Sequence, residues 1–86
     1  MQVQHLPEQQ QFVMENPSAR AVLEYRLGEG PHGAWVDFYH TFVPPALRGM
    51  GIAAQLTAAG LAWAQQQNLQ IMASCSYVAR YRDANR

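Results

Sequence analysis

Lysine is absent from this 86-residue chain, whose six basic groups are all arginines: Arg20, Arg26, Arg48, Arg80, Arg82 and Arg86. That excludes a P-loop, whose lysine reaches the nucleotide phosphates, and it excludes Schiff-base chemistry. Six acidic residues balance the arginines, so net charge gives no bulk attraction to nucleic acid or an anionic membrane. Arg80, Arg82 and Arg86 cluster near the C-terminus and read as a solvated tail. A single cysteine, Cys75, leaves no internal disulfide and no cysteine-based zinc site. His5 and His32 have no partners at ligand spacing, so no metal site is expected. No apolar run approaches the roughly 20 residues of a membrane helix. Nor does the N-terminus carry the basic start, apolar centre and cleavage pattern of a signal peptide. The expectation is a cytoplasmic protein without nucleic-acid or membrane partners.

What is present is enough apolar residue, 49% of the chain, for one modest core. The expected organisation is a single domain over residues 1–86, with residues 1–8 as a loose leader. Gln10 to Glu15 reads as a short strand closed by the turn residues Asn16-Pro17-Ser18. From Ala19 the pattern alternates: Ala21, Leu23, Tyr25 and Leu27 take one face, and Arg20, Glu24 and Arg26 the other. Gly28 to Gly33, with three glycines and a proline, reads as a hairpin loop. Ala34 to Val43 is rich in aromatic and β-branched residues and reads as a long central strand. Strict alternation puts Val36, Phe38, His40 and Phe42 on one face, and Trp35, Asp37, Tyr39 and Thr41 on the other.

Pro44-Pro45 ends that strand, because neither proline can donate to a ladder. Gly51 to Gln67 is the best helix, with Ile52, Leu56, Ala59, Trp63 and Gln67 at helical spacing and Asn68 as a stop. Leu69 to Ser74 suits a short buried strand parallel to the one before the helix, and Tyr77 to Asp83 a final helix. The fold class is α/β (α+β), in the order β-β-β-α-β-α. It implies a mixed sheet with antiparallel N-terminal strands and one parallel crossover.

One stretch, Val43 to Leu56, concentrates features suited to an anion. Arg48-Gly49-Met50-Gly51 leads straight into the helix, and no Ser, Thr, Asp or Asn stands at the capping position. The first amide N–H groups therefore lack side-chain acceptors. Glycines let a ligand approach the main chain, the helix dipole favours negative charge, and Arg48 adds a forked cation. A tight turn with no ligand has the same glycine spacing. These residues by themselves do not choose between coenzyme A, a nucleotide and free phosphate.

The same residues resemble the GNAT superfamily of N-acetyltransferases. Its Arg/Gln-x-x-Gly-x-Gly/Ala signature reads here as Arg48-Gly49-Met50-Gly51-Ile52-Ala53. The chain is closest to very small GNAT-like proteins, which share three elements in order. These are His40-Thr41-Phe42-Val43-Pro44, then Arg48-Gly49-Met50-Gly51-Ile52, then Cys75-Ser76-Tyr77-Val78. The resemblance covers about the C-terminal half and implies a minimal GNAT-like fold. It also implies an acetyl-coenzyme A-dependent N-acetyltransferase, or alternatively a non-catalytic coenzyme A-binding module. By the same resemblance Arg48, Gly49, Met50, Gly51, Ile52 and Ala53 hold the pyrophosphate. Phe42 and Val43 meet the pantetheine arm, and a main-chain N–H near them faces the acetyl carbonyl. Larger members have further helices and strands that build an acceptor pocket, so the acceptor here, a small amine or a protein, is left open. A monomer or weak homodimer is expected.

Candidate catalytic residues are Cys75, His40 and Tyr77. Cys75 follows a strand that ends at the ligand crevice of a parallel α/β unit. Its thiol can accept an acetyl group, line the thioester channel, or be a buried core cysteine. His40 carries an imidazole, the side chain most often used as a base, and can deprotonate an amine or the Cys75 thiol, or be a histidine satisfied by hydrogen bonds on its strand. The resemblance implies a tyrosine that supplies a proton to the departing thiolate, and Tyr77 and Tyr81 are the candidates for it. Trp35, Trp63 and the phenylalanines read most simply as core.

Overall fold

The computed structural model describes residues 1–85, so Arg86 lies outside the described residues. Five strands form one sheet: β1 (Gln4–Leu6), β2 (Gln11–Asn16), β3 (Ala19–Gly30), β4 (Gly33–Phe42) and β5 (Gln70–Met72). They lie in sequence order, antiparallel except for the β4–β5 pair, which is parallel. Helix α1 (Ile52–Gln66) connects β4 to β5, and α2 (Ser76–Ala84) follows β5. This is the expected mixed sheet with one parallel crossover, preceded by an additional strand. Neither helix is long and apolar enough to cross a membrane.

The core lies between the sheet and the helices. Ala21, Leu23 and Tyr25 of β3, with Val36 and Phe38 of β4, pack against Ile52, Leu56 and Ala64 of α1 and Val78 of α2. Period-two alternation in β3 delivers those side chains to one face, as read from the sequence. Leu27 shares that face, but it remains 46% exposed near the far end of β3. On α1, Gly60 sets the approach: a Cβ there would stand 2.9 Å from Phe38 and 3.0 Å from Leu23. Thr57, fully buried, satisfies its hydroxyl within the helix by donating to the Ala53 carbonyl at 2.8 Å. Asn68 ends α1 in the left-handed region at φ 57°. The Leu69 N–H then bonds the Ala64 carbonyl at 2.9 Å and the Asn68 N–H that of Gln65 at 3.1 Å, closing a Schellman turn.

Several expectations are corrected. Residues 1–8 are not a loose leader, since β1 pairs with β2 through Gln4, His5 and Leu6. His5 anchors it: the ring stacks on Phe12 at 4.1 Å, meets Trp63 edge-on at 4.9 Å, and bonds the Tyr25 hydroxyl at 2.7 Å. The Gly28–Gly33 loop is shorter than expected, because β3 runs to Gly30 and β4 starts at Gly33 around Pro31-His32. Trp35 is not core; it lies on the opposite face over Gly28, occupying space a side chain would need. Phe42 is 46% exposed. Strand β5 is an edge of three residues, with Ile71 half-buried between the exposed Gln70 and Met72, rather than a buried run from Leu69 to Ser74. Arg82 is no solvated tail residue, since its guanidinium donates to the Ile71 carbonyl at 3.4 Å.

The largest correction concerns β4. Leu23 pairs with Thr41 and Glu24 with His40, yet Tyr25 pairs with Phe38, leaving Tyr39 as an extra residue in the ladder. Such a bulge resets the alternation beyond it. Thr41 therefore joins Val36 and Phe38 on the helix-covered face, while His40 and Phe42 turn to the other.

Burial holds the His5 pKa below its ordinary 6.5, so the folded state keeps the ring neutral. The unfolded chain takes up this proton first as pH falls below 6.5. The contribution is thus present above the unfolded value and lost as pH falls toward the folded one. We expect the melting temperature to drop on acidification from pH 7.5 to 5.5, with a smaller drop in His5→Phe. Thermal denaturation followed by circular dichroism checks this; equal drops would refute it.

Candidate active site

Strand β4 and strand β5 are bonded only through the pairs Trp35–Gln70, Val36–Ile71 and Asp37–Met72. Beyond them the two chains part. The last main-chain link is the Cys75 N–H donating to the Phe38 carbonyl at 3.0 Å. From Tyr39 to Phe42, β4 therefore has β3 on one side and no strand on the other. This parting leaves a crevice between the end of β4 and the start of α2.

At the foot of the crevice stands the turn into α1. Pro45–Leu47 forms a single 3-10 turn, closed by the Leu47 N–H on the Pro44 carbonyl at 2.9 Å and pinned by the buried Leu47. Gly49 and Gly51 both occupy the left-handed region, with φ of 81° and 71°. L-residues pay about 1–2 kcal/mol there, which explains why both positions are glycine. Gly51 caps α1 without a side-chain acceptor, and the first turn holds no acidic residue. The N–H groups of Ile52, Ala53 and Ala54 are left to an outside partner, since the helical ladder starts with Gln55 on the Gly51 carbonyl at 3.1 Å. A Cβ on Gly49 or Gly51 would meet nothing within 4 Å, so the main chain is open to close approach. Arg48 donates from Nε to the Val43 carbonyl at 3.0 Å, which ties its guanidinium to the end of β4.

These groups surround a cavity of about 180 Å³, lined among others by Val43, Arg48, Gly49, Gly51, Ala53 and Tyr77. The turn and Tyr77, distant in sequence, thus share one hollow. Met50 projects outward, 55% exposed, and Ile52 is buried beneath the turn. A main chain of free N–H groups and an arginine fork, with no acidic residue in the first turn, suits a phosphate-bearing ligand. A larger hollow of about 450 Å³ lies elsewhere, between α1, β5 and α2; Tyr81 lines it, but Cys75, His40 and Tyr77 do not.

Cys75 stands at the start of α2, half-buried, its sulfur 3.4 Å from Thr41 Oγ1. Burial pushes its pKa up, but the Thr41 hydroxyl and the main-chain N–H groups of Val78, Tyr77 and Thr41 outweigh that and leave it below the ordinary thiol value. No well-formed side-chain cap closes the helix, so the first-turn amides act by proximity and dipole. His40 is not brought to this sulfur: it is exposed on the opposite face, across from Glu24. Phe42 shares that face, and Val43 returns to line the cavity. Tyr77 stacks with Tyr81 at 6.4 Å on α2.

Two residues that sequence reasoning missed hold the arrangement. Thr41 reaches Cys75 only because of the bulge, which no residue pattern announces. Asp37, 8% exposed, accepts from the Ser74 N–H at 2.9 Å and from the Ser74 hydroxyl at 2.7 Å. That clamp fixes the chain just before Cys75. Among the described residues no cluster of His, Cys, Asp and Glu could hold a metal ion.

The fold and the open, uncapped glycine turn together define an acyltransferase-type architecture, and comparison with known proteins agrees. A profile of the GCN5-related N-acetyl-transferase family matches residues 11–86, and the chain belongs to that family. It is also similar to protein NATD1 of Gallus gallus, at 36% identity over 88 residues, covering 99% of this chain and 76% of that protein. Protein NATD1 of Mus musculus and of Homo sapiens are each 34% identical over 88 residues, with 76% and 74% of their lengths covered.

Asp37→Ala removes the acceptor of both the Ser74 N–H and its hydroxyl, an expected loss of about 1–2 kcal/mol of stability. Asp37→Asn keeps one carbonyl acceptor and loses less. Urea denaturation of the two variants measures the order.

Proposed function

We propose that the protein is an acetyl-coenzyme A-dependent N-acetyltransferase of minimal GNAT type. The observation that carries the reading is the cavity that joins the uncapped turn, Arg48 to Ala53, with Tyr77 beside the parted end of β4. The N–H groups of Ile52, Ala53 and Ala54, with Gly49, Met50 and Gly51 leading to them, bind the pyrophosphate, and Arg48 supplies the positive charge. The free edge of β4 at Phe42 and Val43 bonds the pantetheine arm as a further strand would. When bound, acetyl-coenzyme A supplies an activated acetyl group, whose transfer to an amine releases the free thiol.

Within the crevice the Cys75 sulfur, once it has lost its proton, can take a proton from the amine, or take the acetyl group as the coenzyme A thiolate leaves and then pass it to the amine. Tyr77 O–H, on the wall of the same cavity, donates toward the leaving sulfur. His40 has no part in this set, because it faces away from Cys75. A reducing, cytoplasmic setting suits a site that depends on a free thiol.

A second reading, a coenzyme A-binding module without catalysis, draws on one observation. The side chain hydrogen-bonded to Cys75 is that of Thr41, which is no base. Release of free coenzyme A from acetyl-coenzyme A, measured across a panel of amines with intact mass in parallel, separates the two. Turnover with some amine is the expected result; tight binding without release or acetylation favours the module. Gly51→Glu, with a carboxylate at the phosphate position, is expected to weaken coenzyme A binding at least tenfold by calorimetry. Unchanged affinity would remove the turn from the site.

A further inference from the structure

We propose that Thr41 is the positioning residue of this crevice, its hydroxyl fixing where the Cys75 sulfur stands. The inference deepens the acetyltransferase reading and rests on it for its purpose, although its geometry is independent of any ligand. Under strict alternation Thr41 would share a face with Trp35 and Asp37, away from the helices. The extra residue at Tyr39 turns it over, so that Thr41 pairs with the buried Leu23 and points its hydroxyl at Cys75 Sγ, 3.4 Å away.

The other end of the contact is equally constrained. The Cys75 N–H is bonded to the Phe38 carbonyl at 3.0 Å, its carbonyl accepts from the Ala79 N–H at 3.1 Å, and Ser74 before it is clamped by Asp37. The cysteine backbone is thus fixed on three counts, and only rotation about its side-chain bond remains. The Thr41 hydroxyl holds that rotation from the β4 side, while the main-chain N–H groups of Tyr77 and Val78 hold it from α2.

Donor and acceptor roles follow from the protonation state. With a neutral thiol either group can donate. Once the sulfur has lost its proton it has nothing to donate, and Thr41 must be the donor. The bond therefore strengthens on ionisation, as hydrogen bonds to charged acceptors do. Removing the hydroxyl is expected to push the thiol back up and slow its reactions at neutral pH. A threonine methyl is retained in valine and the hydroxyl in serine, so the two variants separate packing from hydrogen bonding.

The chain contains one cysteine, so alkylation by iodoacetamide reports on Cys75 alone. The experiment follows the alkylation rate against pH for the full chain without coenzyme A, with Cys75→Ser as the blank. For Thr41→Val the midpoint is expected to rise by about half a unit to one unit, with a rate at pH 7 roughly three- to tenfold lower. Thr41→Ser is expected to restore both to within about twofold. A Thr41→Val profile that superimposes on the parent overturns the proposal, as does an equal shift in Thr41→Ser. Should Thr41→Val not fold, Thr41→Ala carries the same expectation and the same refutation. Coenzyme A binding by calorimetry on the same samples keeps the two readings apart. An unmoved profile with intact binding defeats only the role of Thr41, and a shifted profile without binding defeats only the coenzyme A site.

Discussion

After Asp37 and Met72 the ladder between β4 and β5 has no further pairs, and one main-chain bond, Cys75 N–H to Phe38 O, holds the two chains where they part. Most of what the protein offers chemically lies along that parting. An unpaired strand edge is a liability in a sheet, because its N–H and C=O groups invite a partner. Here the edge from Tyr39 to Phe42 is short and lies inside a crevice walled by α2. That is where a linear arm with amide groups of its own would find bonds.

Three local devices keep the parting in place, each through a different interaction. The Asp37 carboxylate holds Ser74 through two hydrogen bonds and so ends β5 on the near side of the crevice. The bulge at Tyr39 lengthens β4 by one residue relative to β3 and re-aims everything beyond it. Leu47, buried beneath the 3-10 turn, fixes where the chain re-enters the core before the two left-handed glycines. Each device is cheap by itself. Together they bring Thr41, Cys75, Tyr77 and the first turn of α1 to one side of the sheet, with His40 left on the other.

The N-terminal strand shows how a small domain completes its core. With 86 residues the surface is large relative to the interior, and every apolar ring counts. His5, Phe12, Tyr25 and Trp63 form an aromatic group at the far end of the helix from the site. It fastens β1 and the C-terminal half of α1 to β2 and β3. The polar edges of His5 and Tyr25 satisfy one another, which is what makes a histidine tolerable there.

Much of the fold was legible because it is written in local periods. Alternation in β3, the alanine-rich helical spacing of α1, the stop at Asn68 and the parallel crossover are consequences of nearest neighbours along the chain. So was the open start of α1, since a missing cap and two glycines are features of consecutive residues. The strand at Gln4 to Leu6 was not legible, because a histidine among glutamines looks polar until its aromatic neighbours arrive from β2, β3 and α1. The faces of β4 beyond Phe38 were not legible either. A bulge is decided by the register between two strands, and one extra residue there exchanged His40 for Thr41 beside the cysteine. The sequence by itself determined every element but the first strand, and the uncapped glycine turn that opens α1. Only the tertiary structure decided which side chains meet Cys75, because that depends on the pairing of strands and the point at which they part.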